Sequence, residues 1–360
     1  MDNILKTLVE FPSVVGDREA INPAIEWIDR YLSERGMHVK RFDYDGVESI
    51  VATTRKTKKP KVLLAAHVDV VPAPKAQFKF HEKNGRYYGR GAADMKFAIA
   101  AYLQLIDDLQ GSLHDYDIGV MITSDEEVGG MHGTKALIDE GYRADVVILP
   151  DAGDTPDNWK LERSAKGIMR IEVKTSGKAS HGSRPWKGEN AIDKLISLLG
   201  DIRTLFPEPE VAANTLTVSI ITGGEAANQV PASASAQLDI KTISDEDAEH
   251  LQKSISQMCE ERGADMVQSV FGNACRTDTD SPFVAKFVET IEEVAGKGSL
   301  TEADSTGASD ARFFAATGVP CIVASPPADG YHADNEYVSK EGLEQLRKVL
   351  RSYVDKIAKD

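Results

Sequence analysis

Apolar positions along the chain follow two different periods. In residues 18–36, Ile21, Ala24, Ile25, Ile28, Tyr31 and Leu32 recur at helical spacing and Gly36 supplies a stop. Residues 2–9, 95–109 and 134–140 also read as helices, the second with a stripe of Ala98, Ala101, Tyr102, Leu105 and Leu109. At the C-terminus Leu343, Leu346, Val349, Leu350, Tyr353, Val354 and Ile357 mark an amphipathic helix. Between these lie short, mainly apolar runs at 62–66, 118–122 and 144–149. Their length and their flanking Gly, Pro and Asp predict buried strands. Residues 39–44 and 47–53 form a strand pair around Asp45-Gly46.

The pattern changes near Arg163. Residues 167–177 alternate, with Met169, Ile171 and Val173 set against Arg170, Glu172 and Lys174, as in a half-buried strand. A helix over 190–206, strands over 215–222 and 234–242, a helix over 245–263 and a strand over 266–271 complete a βαββαβ order. That order predicts a ferredoxin-like α+β unit. The α/β style returns with a helix over 283–294 and a strand over 319–324. The expected architecture is a discontinuous α/β domain, 1–164 and 277–360, with a mixed central sheet flanked by helices and an inserted domain at 165–276.

Charge and composition narrow the function. A net charge of -15 disfavours binding to a nucleic-acid backbone. No apolar run reaches the roughly 18 residues of a membrane span, and no basic-then-apolar leader opens the chain. Three cysteines without CxxC spacing argue against a disulfide framework and suit a reducing cytoplasm.

Metal-compatible side chains stand where the buried strands end. The first run delivers His67, with Asp69 on the same face two residues on; the second leads to Glu126-Glu127; the third ends at Asp151. Asp94 follows a Gly-rich run and precedes a helix. Each has an ordinary account: a packed histidine, a solvated acidic turn, an N-cap. Three strand termini together point instead to a ligand, because open α/β sheets bind ligands beyond the carboxyl ends of their strands. Adjacent glutamates on an extended backbone point in opposite directions, so one can bind a cation while its neighbour acts beside it.

In order, His67-x-Asp69, the Gly-rich run to Asp94, Glu126-Glu127, Asp151 and His332-x-x-Asn-Glu336 resemble the dinuclear zinc amidohydrolase and exopeptidase family. That family includes acetylornithine deacetylase, succinyl-diaminopimelate desuccinylase, aminoacylase, glutamate carboxypeptidase and several dipeptidases. The resemblance spans essentially the whole chain and implies a catalytic domain with an inserted lid that also dimerises. It implies two zinc ions, with cobalt or manganese as substitutes: His67, Asp94 and Asp151 around one, Asp94, Glu127 and His332 around the other. Asp69 would orient His67, and Glu126 would be the general base. In the lid, His181 would reach a substrate carbonyl and Arg184 and Asn228 would bind the substrate's carboxylate end. The implied substrate is a small N-acyl amino acid or dipeptide.

Two positions bear on substrate class. Lys241, a third candidate for binding the substrate, stands where some desuccinylase-type members carry an arginine, and it lacks that side chain's bidentate geometry. Asp151 is the choice commoner among dipeptidases and aminopeptidases, whereas the compact lid favours the deacetylase and desuccinylase group. A non-catalytic binding relative would have lost ligands or base, and a structural metal protein would favour cysteine; neither fits this set. Arg312 is expected to pair with Asp310 or face solvent. Trp186 is expected either to line the substrate pocket or to pack within the lid.

Overall fold

Hydrophobic runs at 62–67 and 118–123 become adjacent parallel strands in the computed structural model, which describes residues 1–206, 208, 210, 213–305 and 307–359. The strands of this first sheet are β1 (His38–Tyr44), β2 (Val47–Thr53), β3 (Val62–His67), β4 (Ile118–Thr123) and β5 (Val146–Ile148). Their order is β1-β2-β4-β3-β5, closed by the short strand Cys321–Ile322. β1 and β2 run antiparallel to their neighbours, whereas β3, β4, β5 and Cys321–Ile322 are mutually parallel. The sheet is therefore mixed, as the sequence predicts. β3 lies between β4 and β5, so the chain leaves it to one side and returns on the other; ligand crevices form at such switch points.

Helices cover this sheet. Lys96–Asp108 packs on β3 and touches helices Asp2–Glu10 and Lys340–Ile357. The expected stripe understates its burial: Phe97, Ile99, Ala100 and Leu103 are as buried as Ala98 and Leu105. A helix apolar all round belongs in the core of a larger domain. Tyr102 locks it to the sheet. Its hydroxyl lies 3.0 Å from Ala65 O on β3 and 3.0 Å from Ile148 O on β5.

Contacts divide the chain into two units. The first comprises Met1–Ser164, Arg276–Ser305 and the segment from Ser309; the second is Ala165–Cys275 with Gly307 and Ala308. Lys166 N donates to Gly307 O, which attaches that short piece to the second unit. The second unit's sheet contains β6 (Gly167–Ser176), β7 (Thr215–Gly223), β8 (Ser233–Thr242) and β9 (Ala264–Gly272), in the order β7-β8-β6-β9 and antiparallel throughout. Met169, Ile171 and Val173 meet Leu195, Leu198, Leu251 and Ile255 of helices Ala191–Arg203 and Asp245–Glu261 in one core. This is the expected ferredoxin-like sandwich. Among the described residues no helix is long and apolar enough to cross a membrane.

Several strands of the first unit are absent from the sequence expectations, Trp159–Ala165 and Leu300–Asp304 among them. Trp159–Ala165 pairs in parallel with Leu300–Asp304, and it carries the buried Glu162 beside Lys160. A charged residue inside the strand hides the apolar alternation.

The Tyr102 link ties two strands whose ends carry His67 and Asp151. Tyr102→Phe should destabilise the protein by about 1–2 kcal/mol, read as a lower urea midpoint with an unchanged slope. An unchanged midpoint would show that the hydroxyl does not hold the strands.

Candidate metal centre

Register brings the strand termini level. Leu64 pairs with Ile148, so His67 and Asp151 each stand three residues beyond one rung. His67 pairs with Thr123, and Glu126 follows in the single 3-10 turn Glu126–Val128. Asp94 arrives from the Gly-rich run ahead of helix Lys96–Asp108. Its side chain does not cap that helix, whose N-cap is Met95 without a side-chain bond.

Asp94 instead lies between two imidazoles. Its Oδ1 is 3.0 Å from His67 Nε2, and its Oδ2 is 3.1 Å from His332 Nε2. His332 Nε2 is also 3.0 Å from Glu127 Oε2. Two groups of donor atoms result, each with its atoms within 4.8 Å of one another: His67, Asp94 and Asp151, and Asp94, Glu127 and His332. Asp94 belongs to both.

A buried frame orients these side chains. Asp69 is fully buried and serves two of them. His67 Nδ1 lies 3.0 Å from Asp69 O and 3.5 Å from its Oδ1, while Asp69 Oδ2 accepts the backbone N–H of Glu127 at 3.1 Å. Such a contact at Nδ1 leaves Nε2 as the lone-pair side of the ring. Val71 N donates to Glu127 Oε1 at 3.2 Å, so Oε2 is the oxygen facing His332.

Two residues without an assigned role in the sequence reading complete the frame. Glu336 Oε1 accepts from Ala93 N at 2.8 Å and Asp94 N at 3.1 Å, and its Oε2 accepts Arg90 Nη1 at 2.6 Å. Arg90 Nη2 donates to His332 O at 3.2 Å. This buried ion pair therefore holds the backbones of Asp94 and His332 together. His332 needs such support because its φ of +61° is a left-handed conformation that side chains rarely adopt. Glu336 closes the His-x-x-Asn-Glu motif, a signal available in the sequence; Arg90 is flanked by Gly89 and Gly91 and offers none. Next to His332, the buried Tyr331 hydroxyl has no hydrogen-bond partner among the described residues.

The electrostatics are those of an anion-rich pocket. Burial opposes the Asp94 carboxylate, but hydrogen bonds from His332 and His67 outweigh it and hold the carboxyl well below its usual range. Contacts with Asp94 and then Glu127 raise His332 to about 10. Burial, opposed by His67 and reinforced by Asp151, Asp310 and Asp94, pushes Glu126 well above an ordinary glutamate. Burial and then Asp94 do the same to Asp151. Oxygen and imidazole donors carrying excess negative charge suit a divalent cation, whose charge would reverse these pressures.

The second unit carries the remaining sequence candidates. Ser180–His181 pairs with Gln229–Val230, and Gly182 N donates to Asn228 O at 2.7 Å. A Cβ on Gly182 would sit 3.0 Å from Asn228 O, so the glycine permits this approach. Arg184 N donates to His181 O at 2.8 Å. His181, Arg184 and Asn228 thus share one exposed edge. Lys241 does not join them. It sits near the opposite end of β8, its ammonium 3.1 Å from Asp239. Trp186 is 76% exposed and is not part of the unit's core among the described residues. Arg312 departs from both expectations: it is buried, and its guanidinium donates to carbonyl oxygens of Gly129 and Ser309.

Comparison with known proteins agrees with this geometry. The family pattern of peptidase family M20/M25/M40 matches residues 63–356. A succinyl-diaminopimelate desuccinylase of Sulfurovum sp. (strain NBC37-1) is 26% identical, the match covering 98% of this chain and 97% of the relative. A protein of the same name from Rickettsia akari (strain Hartford) is 28% identical, covering 98% of each. Among solved structures, a tripeptidase from Staphylococcus aureus superposes with a TM-score of 0.81 at 22% identity, over 98% of this chain and 96% of that one. An M20 family metallo-carboxypeptidase from Sulfolobus solfataricus gives 0.81 at 19% identity, over 97% of both. Since the family pattern runs from β3 into the last helix and takes in every group of the centre described above, the chain belongs to peptidase family M20/M25/M40 and is a metal-dependent hydrolase of C–N bonds.

Proposed function

We propose that the chain hydrolyses the amide bond of a small N-acylated amino acid with the help of two zinc ions, which cobalt or manganese can replace. His67, Asp94 and Asp151 hold one ion, and Asp94, Glu127 and His332 the other. The observation that carries this reading is Asp94, whose two oxygens face different imidazoles. Bound there, the metals lower the pKa of water and polarise the scissile carbonyl.

The chain's own residues supply the proton traffic. Glu126 stands beside the centre and has no hydrogen bond from its carboxylate to another described residue. It takes the proton of the attacking water as the C–O bond forms, then passes it to the nitrogen as the C–N bond breaks. An amide nitrogen leaves readily only as an amine, so the same carboxyl acts first as base and then as acid. Asp69 keeps His67 with Nε2 toward the centre and fixes the start of the Glu127 backbone. In the second unit, His181 donates to the carbonyl oxygen as its charge develops, and Arg184 and Asn228 take the substrate's carboxylate. Their shared edge supports this grouping; Lys241, engaged by Asp239, is left out of it.

The desuccinylase relatives favour an N-acyl substrate, and an N-succinyl amino acid heads the candidates. Asp151 favours a second reading, a short peptide. The small, odd number of cysteines and their lack of CxxC spacing favour a cytoplasmic setting. We further propose a homodimer formed through the second unit. Ile196, Ile220 and Ile221 are 62%, 49% and 59% exposed there, and β7 is an edge strand of its sheet among the described residues.

Glu126→Gln should keep its metal, measured by elemental mass spectrometry, while turnover falls by about 10²–10⁴. The assay should use N-acetyl, N-succinyl and N-formyl amino acids beside free and N-blocked dipeptides. Faster cleavage of free dipeptides would replace the deacylase reading with the peptidase one. In sedimentation velocity the intact protein should run as a dimer and Ile220→Lys combined with Ile221→Lys as a monomer. An unchanged dimer in that variant would place the interface elsewhere.

A further inference from the structure

We propose that Arg312 and Asp310 are positioning residues for Glu126, clamping the loop that carries it. This inference rests on the reading of Glu126 as the proton carrier. The loop itself is weakly determined. Glu126–Val128 is one 3-10 turn, ending at Gly129 with a left-handed φ of +114°. From its own side, Asp125 secures it: Asp125 O accepts Val128 N and Gly130 N, and Asp125 Oδ2 accepts His132 N at 2.8 Å and Gly133 N at 3.1 Å.

The other side of the loop is held from far away in the chain. Arg312 Nη2 donates to Gly129 O at 2.7 Å, and Nη1 donates to Ser309 O at 2.9 Å. One guanidinium thus bridges the loop and the segment before helix Ala311–Ala315. Asp310 accepts the Thr134 hydroxyl at 2.5 Å, which ties the same segment to the far end of the loop. Its other oxygen packs directly on Gly130. A Cβ built there would lie 2.0 Å from Asp310 Oδ1 and 2.9 Å from Phe313 Cε2. Arg312 and Asp310 are 4% and 3% exposed, so their polar contacts are shielded from water.

Neither residue belongs to the metal-compatible groups. Their contacts with the loop end on Gly129 O, three residues from Glu126, and on the Thr134 hydroxyl. Two buried charged side chains spent on holding a loop, outside the centre, fit a role in placing the carboxyl that moves the proton. A shift of the order of 1 Å at such a group costs about 10²-fold in rate.

The test is a double-mutant cycle on turnover in the metal-loaded enzyme. Arg312→Lys keeps the charge but cannot span both carbonyls. It should lower kcat by about 10–100-fold, with KM within about twofold and metal content unchanged. In the Glu126→Gln background the same change should cost almost nothing further, because the group it positions is gone. Thr134→Val, with Thr134→Ser as its conservative rescue, should reproduce the kcat loss more mildly and serves if the arginine variant does not fold. Equal losses in both backgrounds, a change confined to KM, or lost metal would overturn the clamp while leaving the base reading intact. Full turnover in Glu126→Gln alone would overturn both.

Discussion

One carboxylate shared between two imidazoles organises this molecule. Asp94 offers an oxygen to His67 on one side and an oxygen to His332 on the other, and every other group of the centre is placed relative to it. An aspartate so buried is costly unless its charge is met, and only part of that charge is met by the histidines. The remaining carboxylates around it, Glu127 and Asp151, raise the demand for positive charge further. A divalent metal, which the family uses, would satisfy it.

Holding Asp94 there takes much of the first unit. The Gly-rich run must bend tightly to present it, and Gly91 does so with a φ of +83° where a Cβ would lie 2.7 Å from the Lys96 side chain. Glu336 then binds the Asp94 backbone, Arg90 neutralises Glu336, and the same guanidinium reaches His332 O. Two side chains of the centre, Asp94 and His332, from segments far apart in sequence, are thereby fixed by one ion pair. The sheet handles the others. Parallel register sets His67 and Asp151 at one height, and the switch at β3 opens the crevice into which both project. Asp69 couples His67 to Glu127 across the β3–β4 step.

The sequence made the termini legible because strands buried on both faces are continuous apolar runs, and the chemistry-bearing residues come just after them. The βαββαβ order was equally plain from alternation, as in Met169, Ile171 and Val173. What stayed hidden depends on contacts between distant segments. Arg90 and Glu336 are 246 residues apart, and neither position has a periodic signature. Arg312 looked like a surface cation because burial of its guanidinium depends on carbonyls at Gly129 and Ser309. Strand Trp159–Ala165 was masked by Lys160 and Glu162, which pair with each other inside the structure. Lys241 is singled out only by the resemblance, and it lies near Thr242, whereas the edge that carries His181 and Asn228 lies by the start of β8 at Ser233.

The shared role of Asp94 is tested most directly by counting metal. Elemental analysis of protein reconstituted with zinc and freed of excess should give two ions per chain for the intact sequence. Asp94→Asn, which keeps the shape and removes the charge, should lose tight binding of both ions, whereas Asp151→Asn should lose one. Retention of two ions by Asp94→Asn, or a single ion in the intact protein, would contradict a centre built on one bridging carboxylate.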